Sequence, residues 1–419
     1  MWNTLKLVLS ILVIVLVVAT AGMVGFAIGD EDNGGSSSIQ APSGDDQELD
    51  SGSDYSVLEE IEDILEEDFV VPEAVNGQAL EEGAISGAID SLGDAHTVYI
   101  SPEDYQSGFD IISGSFEGIG ANVDQDPTTG EITIVTPFRG SPAEQAGILP
   151  GDVILAVDGE STEGWSVQDA VQRIRGTEGS EVTLTVRHAN RESEDVTITR
   201  GTIVIPTVFA HDAQDANGNV VPGIAYVEIQ QFTDQTVNDL SEELTRIVDE
   251  GYEGLVLDLR RNPGGGLDAT VNVADMFLDG GNVLTQVDRD GNETPYDAEP
   301  GGEAVDLPVV ILVSEGSASG SEVLAGALRD QGRAQLVGTQ TFGKGSVNHI
   351  RELSNGGALY VTIARWLTPK GTLIEGVGLS PDVPVELTPE ELSAELQNGY
   401  GPQMSAAIDV LNQQLAASR

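Results

Sequence analysis

The sequence predicts a multidomain α/β (α+β) protein behind one N-terminal membrane helix, and three observations support this prediction. The chain of 419 residues is long enough for two or three domains and a sizeable core. An uncharged apolar stretch opens the chain, and short β-like runs fill its middle. After residue 203, strand-like apolar runs alternate with helical patterns, which is typical of an α/β sheet.

The composition excludes several classes of function. The chain carries 18 basic and 70 acidic residues, a net charge of −52, and such a field repels nucleic acid. Cysteine is absent, which excludes disulfides and thiolate metal sites. The four histidines lack the helical spacing of a zinc motif, so we expect no metal and no other cofactor. The acidic residues are spread over the whole chain, which favours the hypothesis of a salt-adapted, acidic surface.

Residues 1–29 are predicted to form a transmembrane anchor. From Leu7 to Ile28 the chain is apolar and uncharged, about the length that crosses a hydrocarbon layer of roughly 30 Å. A cleaved signal peptide is the alternative, but its apolar core is normally only about 7–15 residues long. Lys6 precedes the stretch and Asp30 follows it, so the positive-inside rule predicts a cytoplasmic N-terminus and extracytoplasmic domains. Residues 30–53 are expected to be a flexible acidic linker.

Two further segments precede the alternating region. Residues 54–106 are predicted to be a small helical segment, with helical patterns at Val57–Leu65 and Ala79–Leu92. Residues 107–202 are predicted to form a compact, partly open β-barrel. Its helical pattern is Val167–Arg175, and its β-like runs are Ile132–Val135, Val153–Val157, Val182–Val186 and Val196–Ile198.

Residues 203–388 are predicted to form an α/β core, followed by a helical tail over 389–419. The strand patterns are Gly223–Ile229, Gly254–Leu259 and Leu307–Val313, and the helical patterns are Thr236–Asp249, Leu267–Leu278 and Ser321–Gln331. Sheets of this kind carry their catalytic loops at strand ends. We therefore searched the segments that follow the strands for reactive groups.

The serine cluster Ser317-Ala-Ser-Gly-Ser-Glu322 follows a continuous apolar run, as expected where a buried strand turns into a helix. A serine at such a turn lies near unpaired helix N–H groups and can attack a carbonyl. Serines at a helix start often only cap the helix, which is the alternative for this cluster.

Lys344 is the candidate general base. Lysine occurs at only three positions of the chain, and Lys344 lies between two glycines, far from any charged face. A third motif, Leu257 to Gly266, ends a strand in three glycines and opens a helix, where backbone N–H groups can be directed at an oxyanion. A tight turn without catalytic function is the alternative for those glycines.

The motifs of this chain resemble those of two known families. Gly118-Ile119-Gly120-Ala121, Ser141–Ile148 and Leu149–Gly159 look like a PDZ domain, although the glycine loop alone could be a hairpin turn. In that family the loop binds a peptide's C-terminal carboxylate while the peptide adds to the sheet as a strand. Residues 54–390 as a whole resemble the carboxy-terminal processing peptidases, serine proteases of family S41.

The S41 resemblance implies a role for each candidate residue. Ser319, rather than Ser317 or Ser321, corresponds to the nucleophile, and Lys344, 25 residues later, to the base. Asn348 stands where related enzymes carry a glutamine that positions the base, and it is one methylene shorter. The resemblance also implies an oxyanion hole; its backbone N–H groups come from Gly264, Gly265 and Gly320.

Other sites fit less well. Gly338–Lys344 matches the first seven positions of a phosphate-binding P-loop, but Gly345 stands where Ser or Thr is required, and a strand pattern follows instead of a helix. No serine lies three residues before a lysine, so a Ser-x-x-Lys site is excluded, and no Gly-x-Ser-x-Gly elbow surrounds Ser319.

The predicted N-terminal anchor places the chain in the membrane with its domains outside the cytoplasm. The resemblance implies an endopeptidase that cleaves proteins near free, apolar C-termini, in processing or quality control. The loop Gly118–Ala121 is the expected peptide-binding element, and a homo-oligomer is compatible with the sequence. The alternative function is a catalytically inactive, membrane-tethered PDZ scaffold. The presence of both Ser319 and Lys344 favours the enzyme.

Overall fold

The computed structural model describes residues 55–102, 104–105, 115–138, 140–188 and 193–417. Within these ranges no helix is both long and apolar enough to cross a membrane. The anchor predicted over residues 1–29 and the linker predicted over 30–53 lie outside the described residues. The mixed α/β character predicted from the sequence is confirmed.

The described chain contains the predicted helices and strands together with further strands that the sequence patterns did not predict. The helices are α1 Ser56–Asp68, α2 Gly77–Asp90, α3 Pro142–Gln145, α4 Val167–Ile174, α5 Asp234–Asp249, α6 Leu267–Asp275, α7 Gly320–Asp330, α8 Pro389–Asn398 and α9 Pro402–Ala417. The strands are β1 Val98–Ile100, β2 Ser115–Gly118, β3 Ala121–Gln125, β4 Ile132–Pro137, β5 Val153–Val157, β6 Glu160–Ser161, β7 Glu181–Arg187, β8 Ser193–Thr199, β9 Gly201–Val204, β10 Val208–Gln214, β11 Val220–Ile229, β12 Gly254–Asp258, β13 Gly281–Asp288, β14 Glu293–Ala298, β15 Val309–Val313, β16 Ala334–Gly338, β17 Ser346–Glu352, β18 Ala358–Leu367 and β19 Val383–Pro384.

The chain forms two compact units. The first consists of the described residues up to Pro102, Asp288–Asn292 and Val347–Ala364, and the second of the remaining described residues. In the first unit, α1 and α2 confirm the two predicted helical patterns. Strand β1 pairs antiparallel with β18, Val98 lying opposite Tyr360, and β17 pairs with β18.

In the second unit, residues 115–204 form a small β structure. Its strands follow the order β3-β4-β5-β7-β8, with β6 on β5, and β2 pairs separately with β9. The four predicted β-like runs are strands β4, β5, β7 and β8. Their alternating residues Ile132, Ile154, Leu184 and Ile198 are buried and pack into one hydrophobic core, which α4 closes with Ala170. One face of these strands therefore forms the core of this β structure.

The larger sheet of the second unit has the order β10-β11-β12-β15-β16-β19. All neighbours from β11 to β19 are parallel, and β10 forms an antiparallel hairpin with β11. Strand β15 is fully buried along its length, which explains its unbroken run of apolar residues. Helix α9 covers one face, where Met404, Ala407 and Leu411 pack against residues of β12 and β15.

In this region one prediction differs from the structure, and one pair of strands was not predicted. The helical pattern Leu267–Leu278 extends three residues beyond α6, because Met276, Phe277 and Leu278 are buried and continue the apolar spacing. Their N–H groups instead bond the carbonyls three residues earlier, so the helix tightens into turns after Asp275. The hairpin of β13 and β14 was not predicted from the sequence at all.

Candidate active site

The carboxyl ends of three neighbouring parallel strands bring the candidate motifs together. Strand β12 ends at Asp258 and leads into the glycine loop, defined here as Leu259–Gly266. Strand β15 ends at Val313, before the serine cluster, and β16 ends at Gly338, before the lysine motif. Because β12, β15 and β16 are adjacent in the sheet, the three loops emerge side by side.

The three serines of the cluster have different environments. Ser317 is fully buried, and its hydroxyl donates to the carbonyl of Leu259 over 2.8 Å. Ser321 is equally buried, and its hydroxyl donates to the carbonyl of Asn262 over 2.7 Å. Ser319 is only half-buried. The two outer serines therefore hold the serine cluster against the glycine loop, and Ser319 is the member that solvent can reach.

Ser319 has an unusual backbone conformation for a side-chain-bearing residue. Its φ is 52° and its ψ is −115°, and α7 begins at the next residue. Such a conformation costs on the order of 1–3 kcal/mol and persists only where the surroundings enforce it. The sharp turn presents Ser319 at the carboxyl edge of the sheet, directly before Gly320, the first residue of α7.

The glycine loop touches this turn directly. Gly264 has a φ of +108°, and a Cβ built on it would lie 2.8 Å from the Ser319 Cβ and 2.9 Å from the Gly320 nitrogen. A side chain at position 264 would therefore collide with the turn at Ser319. Only glycine allows this approach, because it lacks a Cβ and tolerates positive φ.

Backbone N–H groups around Ser319 differ in whether they are occupied. The Gly264 N–H donates to Oδ1 of Asn262 over 2.8 Å, so this donor is bonded to an acceptor within the glycine loop. Gly266 donates to the carbonyl of Phe232. The N–H groups of Gly265 and Gly320 donate to no acceptor within the part of the chain that the structure describes. Both are available to an oxygen placed beside Ser319.

The Glu322 carboxylate joins the turn at Ser319, called here the serine turn, to residues 339–345 between β16 and β17, called here the lysine loop. It is fully buried, and its Oε2 accepts the backbone N–H of Ser319 and that of Lys344, each over 2.9 Å. The two nitrogens can therefore be no further apart than the sum of those distances. Oε1 accepts the Gly343 N–H over 2.8 Å and the Thr341 hydroxyl. One carboxylate thus fixes the backbone on both sides of the candidate dyad.

Burial raises the pKa of the Glu322 carboxyl above its usual range. The hydrogen bonds from Thr341, Gly343, Lys344 and Ser319 favour the ionised form and offset part of this rise. The group is thus a buried acid whose hydrogen-bond pattern requires it to act as an acceptor.

Lys344 is half-buried at the end of the lysine motif. A second contact supports this loop, because the Phe342 N–H donates to the carbonyl of Ser317 over 3.0 Å. Asn348 lies on β17 within the first unit. Its side-chain nitrogen donates to the carbonyl of His96 over 2.9 Å and to the Thr362 hydroxyl over 3.0 Å.

The predicted peptide-binding loop lies between β2 and β3. Gly120 has a φ of +74°, and a Cβ there would lie 2.5 Å from the Ser141 Cβ, so glycine is required. The carbonyls of Ile119 and Gly120 accept N–H groups from Ala143 and Phe138. The N–H groups of Ile119 and Gly120 have no acceptor among the described residues. Strand β3 is at the end of its sheet order and contacts α4, which leaves a strand edge beside this loop.

A buried histidine stabilises the same β structure. His188 Nδ1 lies 2.7 Å from Asp152 Oδ1, and Nε2 lies 2.8 Å from Glu194 Oε1. The hydrogen bonds to Asp152 and then to Glu194 raise the pKa of His188, although burial opposes the rise. The imidazolium form therefore links the start of β5 to β8.

This linkage predicts a pH-dependent stability. Because the folded pKa of His188 is raised, its contribution is complete below its unfolded pKa of about 6.5 and is lost as pH rises through the folded value. The melting temperature of wild type minus that of His188→Gln, measured by calorimetry from pH 6 to 9, should therefore shrink as pH rises. A constant difference for His188→Gln would contradict the linkage.

Sequence reasoning missed two residues of the site, Glu322 and Asn262. For Glu322 a signal was present, since an acid three residues after a serine at a helix start is the capping-box pattern. Its link to the lysine loop depends on contacts 21 and 22 residues away in sequence. Asn262 is fully buried, and its Nδ2 has no partner in the described structure. The described residues contain no cluster of three or more His, Asp or Glu side chains that could hold a metal ion.

Comparisons with known proteins identify the family of two segments of the chain. Residues 223–385 match Peptidase family S41, and residues 133–188 match a PDZ domain. The chain is 38% identical to the carboxy-terminal processing protease CtpA of Bacillus subtilis, over 74% of this chain and 64% of that protein's length. It is 36% identical to the carboxyl-terminal-processing protease of Synechocystis, over 78% of this chain and 76% of that protein.

Among solved structures, the photosystem II D1 C-terminal processing protease is 31% identical, with 82% of this chain and 95% of that chain covered and a TM-score of 0.47. The 36% identity over 76% of the Synechocystis protein establishes that the two proteins belong to one family. The chain therefore belongs to peptidase family S41 and carries a PDZ domain.

Proposed function

We propose that this protein is a serine endopeptidase in which Ser319 is the nucleophile and Lys344 the general base. The observation that carries the proposal is the Glu322 carboxylate, which holds the backbone of both residues through one oxygen. An unprotonated Lys344 amine takes the proton of the Ser319 hydroxyl as its oxygen bonds to the carbonyl carbon of a peptide. The same proton then passes to the departing amine, and water hydrolyses the acyl-enzyme.

The oxyanion hole in this proposal consists of the N–H groups of Gly265 and Gly320. Both are unoccupied among the described residues, and Gly320 directly follows the nucleophile. Donors placed where the negative charge develops stabilise the transition state strongly. The resemblance also assigned Gly264 to the hole, but its N–H is bound to Asn262. We therefore assign Gly264 the different task of allowing the loop to approach Ser319.

Asn348 is proposed to orient the Lys344 amine, in place of the glutamine of related enzymes. Its support is the position four residues after the base and the anchoring of its side-chain nitrogen by His96 and Thr362. Those two contacts restrict the rotation of the amide. An orienting group must be restricted in this way to select one geometry of the base.

The substrates are proposed to be proteins with free, apolar C-termini that bind at the loop Gly118–Ala121. The unoccupied N–H groups of Ile119 and Gly120 suit a carboxylate, and the edge of β3 suits an added peptide strand.

We also propose that residues 1–29 anchor the chain in the cell membrane and that the folded domains act outside the cytoplasm. Processing or quality control of proteins at that surface would follow from this placement.

Amidation of a substrate's C-terminus is expected to slow its cleavage at least about tenfold. The amide removes the negative charge that the N–H groups of the loop bind, and charge-assisted hydrogen bonds are worth roughly 1.5–3 kcal/mol. The test compares hydrolysis of one apolar-tailed peptide as free acid and as amide by the full-length chain in detergent, with products identified by mass spectrometry.

One control variant and two contrary outcomes complete this test. Ser319→Ala should bind the free-acid peptide as tightly as wild type does but leave it intact. Equal cleavage of the acid and the amide would show that the loop does not select the C-terminus. Binding of the free acid without cleavage by wild type would instead support the inactive scaffold.

A further inference from the structure

A buried arginine beside the glycine loop connects the C-terminal helices to the site. Arg260 follows β12 by two residues, and only 1% of its side chain is exposed. Its Nε and Nη2 donate to Asp258 over 3.0 Å and 2.6 Å. On the other side, its Nη1 donates to Oε1 of Glu395 and to Oε1 of Gln403, each over 3.0 Å.

Glu395 has two tasks at once. It lies on α8, and only 1% of its side chain is exposed. Besides pairing with Arg260, it accepts the backbone N–H groups of Gln403 over 3.1 Å and of Met404 over 2.7 Å, at the start of α9. One carboxylate thus satisfies the helix start of α9 and compensates a buried guanidinium.

The backbone of the same segment is bonded to Ser314, just before the serine cluster, and to Ala318 within it. The Arg260 carbonyl accepts the Ser314 hydroxyl over 2.8 Å, and the Asn262 carbonyl accepts the Ala318 N–H over 3.1 Å. Gly264 then lies in contact with the Ser319 turn. A displacement of Arg260 would therefore be transmitted along a short, closely packed segment to the Gly265 N–H.

The charges of this cluster are mutually dependent. Burial alone raises the pKa of Asp258, but the charge and the hydrogen bonds of Arg260 lower it more, so it lies below its usual range. Asp258 also accepts the Tyr226 hydroxyl over 2.7 Å. Without Glu395, Arg260 would keep one carboxylate and one amide as buried partners, and a buried guanidinium short of partners tends to move.

We infer that Glu395 is a positioning residue for the oxyanion hole: through Arg260 it couples helices α8 and α9 to the glycine loop. The inference rests on the proposed function, because it assigns a second support to the same site. The C-terminal helices then belong to the catalytic apparatus in addition to covering the sheet.

The test is Glu395→Gln in the full-length chain, assayed with the free-acid peptide after active-site titration. We expect kcat per titrated site to fall by about tenfold to a hundredfold, as for a small misplacement of catalytic groups, with KM nearly unchanged. Affinity for a peptide boronic acid should fall in parallel with kcat, because the boronate bonds to Ser319 and places an oxyanion beside Gly265. Glu390→Gln, an exposed glutamate on the same helix, should leave all three values at the wild-type level.

The outcomes separate this inference from the proposed function. If wild type hydrolyses the peptide and Glu395→Gln has the same kcat and boronate affinity per site, the positioning role is wrong and the protease stands. If wild type is inactive and Ser319 does not react, the proposed function is wrong and the inference with it. Should Glu395→Gln fail to fold, Gln403→Met decides. This change removes the hydrogen bonds of the Gln403 side chain with Arg260 and with the Val385 carbonyl, and it leaves the pairing of Glu395 with Arg260 in place. It should lower kcat about threefold with unchanged KM, and wild-type kcat would overturn the inference.

Discussion

Replacing Ser319 with alanine is expected to lower kcat for peptide hydrolysis by roughly 10⁴-fold or more, as removal of a nucleophile does in other serine proteases. Lys344→Ala should lower kcat by a similar factor, because nothing else in the motif can take the serine proton. Both side chains are half-buried and neither belongs to a hydrophobic core, so the fold should persist. Circular dichroism and melting curves alongside the kinetics would separate lost chemistry from lost structure.

Ser317→Ala is the matched control for this prediction. Ser317 lies two residues before the proposed nucleophile, but its hydroxyl is buried and donates to Leu259. Its loss should cost about 1–3 kcal/mol of stability and should leave the chemical step in place. An active Ser319→Ala enzyme would refute the assignment, and an inactive but folded Ser317→Ala enzyme would transfer the role of nucleophile to Ser317.

Glu322→Gln is expected to lower kcat by about a hundredfold or more, the effect of a shift of about 1 Å between reacting groups. Four donors point at the carboxylate, and an amide would place an N–H₂ group among them. The serine turn and the lysine loop would then separate or twist. Steady-state kinetics should show the loss in kcat, with the affinity for a substrate's C-terminus unchanged.

The same residue predicts an acid limit to activity. Burial raises the pKa of Glu322, so the carboxyl takes up a proton at a higher pH than an exposed glutamate does. Activity of wild type should therefore fall as pH decreases through this raised value.

The control for Glu322→Gln is Glu391→Gln, with an expected kcat equal to wild type. Glu391 lies in α8 and accepts the Thr388 N–H over 2.9 Å at an exposed helix start. Unchanged kcat in Glu322→Gln would show that the two loops do not depend on this bridge.

Much of the fold follows from local patterns. Strands β5, β7 and β15 and helices α4 and α5 were predicted within two residues, because each carries its hydrophobic periodicity in its own segment. The hairpin of β13 and β14 was missed because β14, Glu293–Ala298, is mostly polar and exposed and has no apolar alternation. After α6 the sequence pattern predicted too much structure. The helical spacing of apolar residues continues to Leu278, but the helix ends at Asp275.

The sequence by itself determined the candidate chemistry: Ser319, Lys344 and the glycine loop are motifs that stand out by composition and by resemblance to family S41. Only the tertiary structure distinguished Ser319 from its buried neighbours and showed that the Gly264 N–H is occupied. It alone revealed how Glu322 joins the two catalytic loops and how Glu395 and Arg260, 135 residues apart, pair in the core. The physical reason is that a motif is a local property of the chain. The occupancy of a hydrogen-bond donor or the partner of a buried charge depends instead on which distant segments the fold brings into contact.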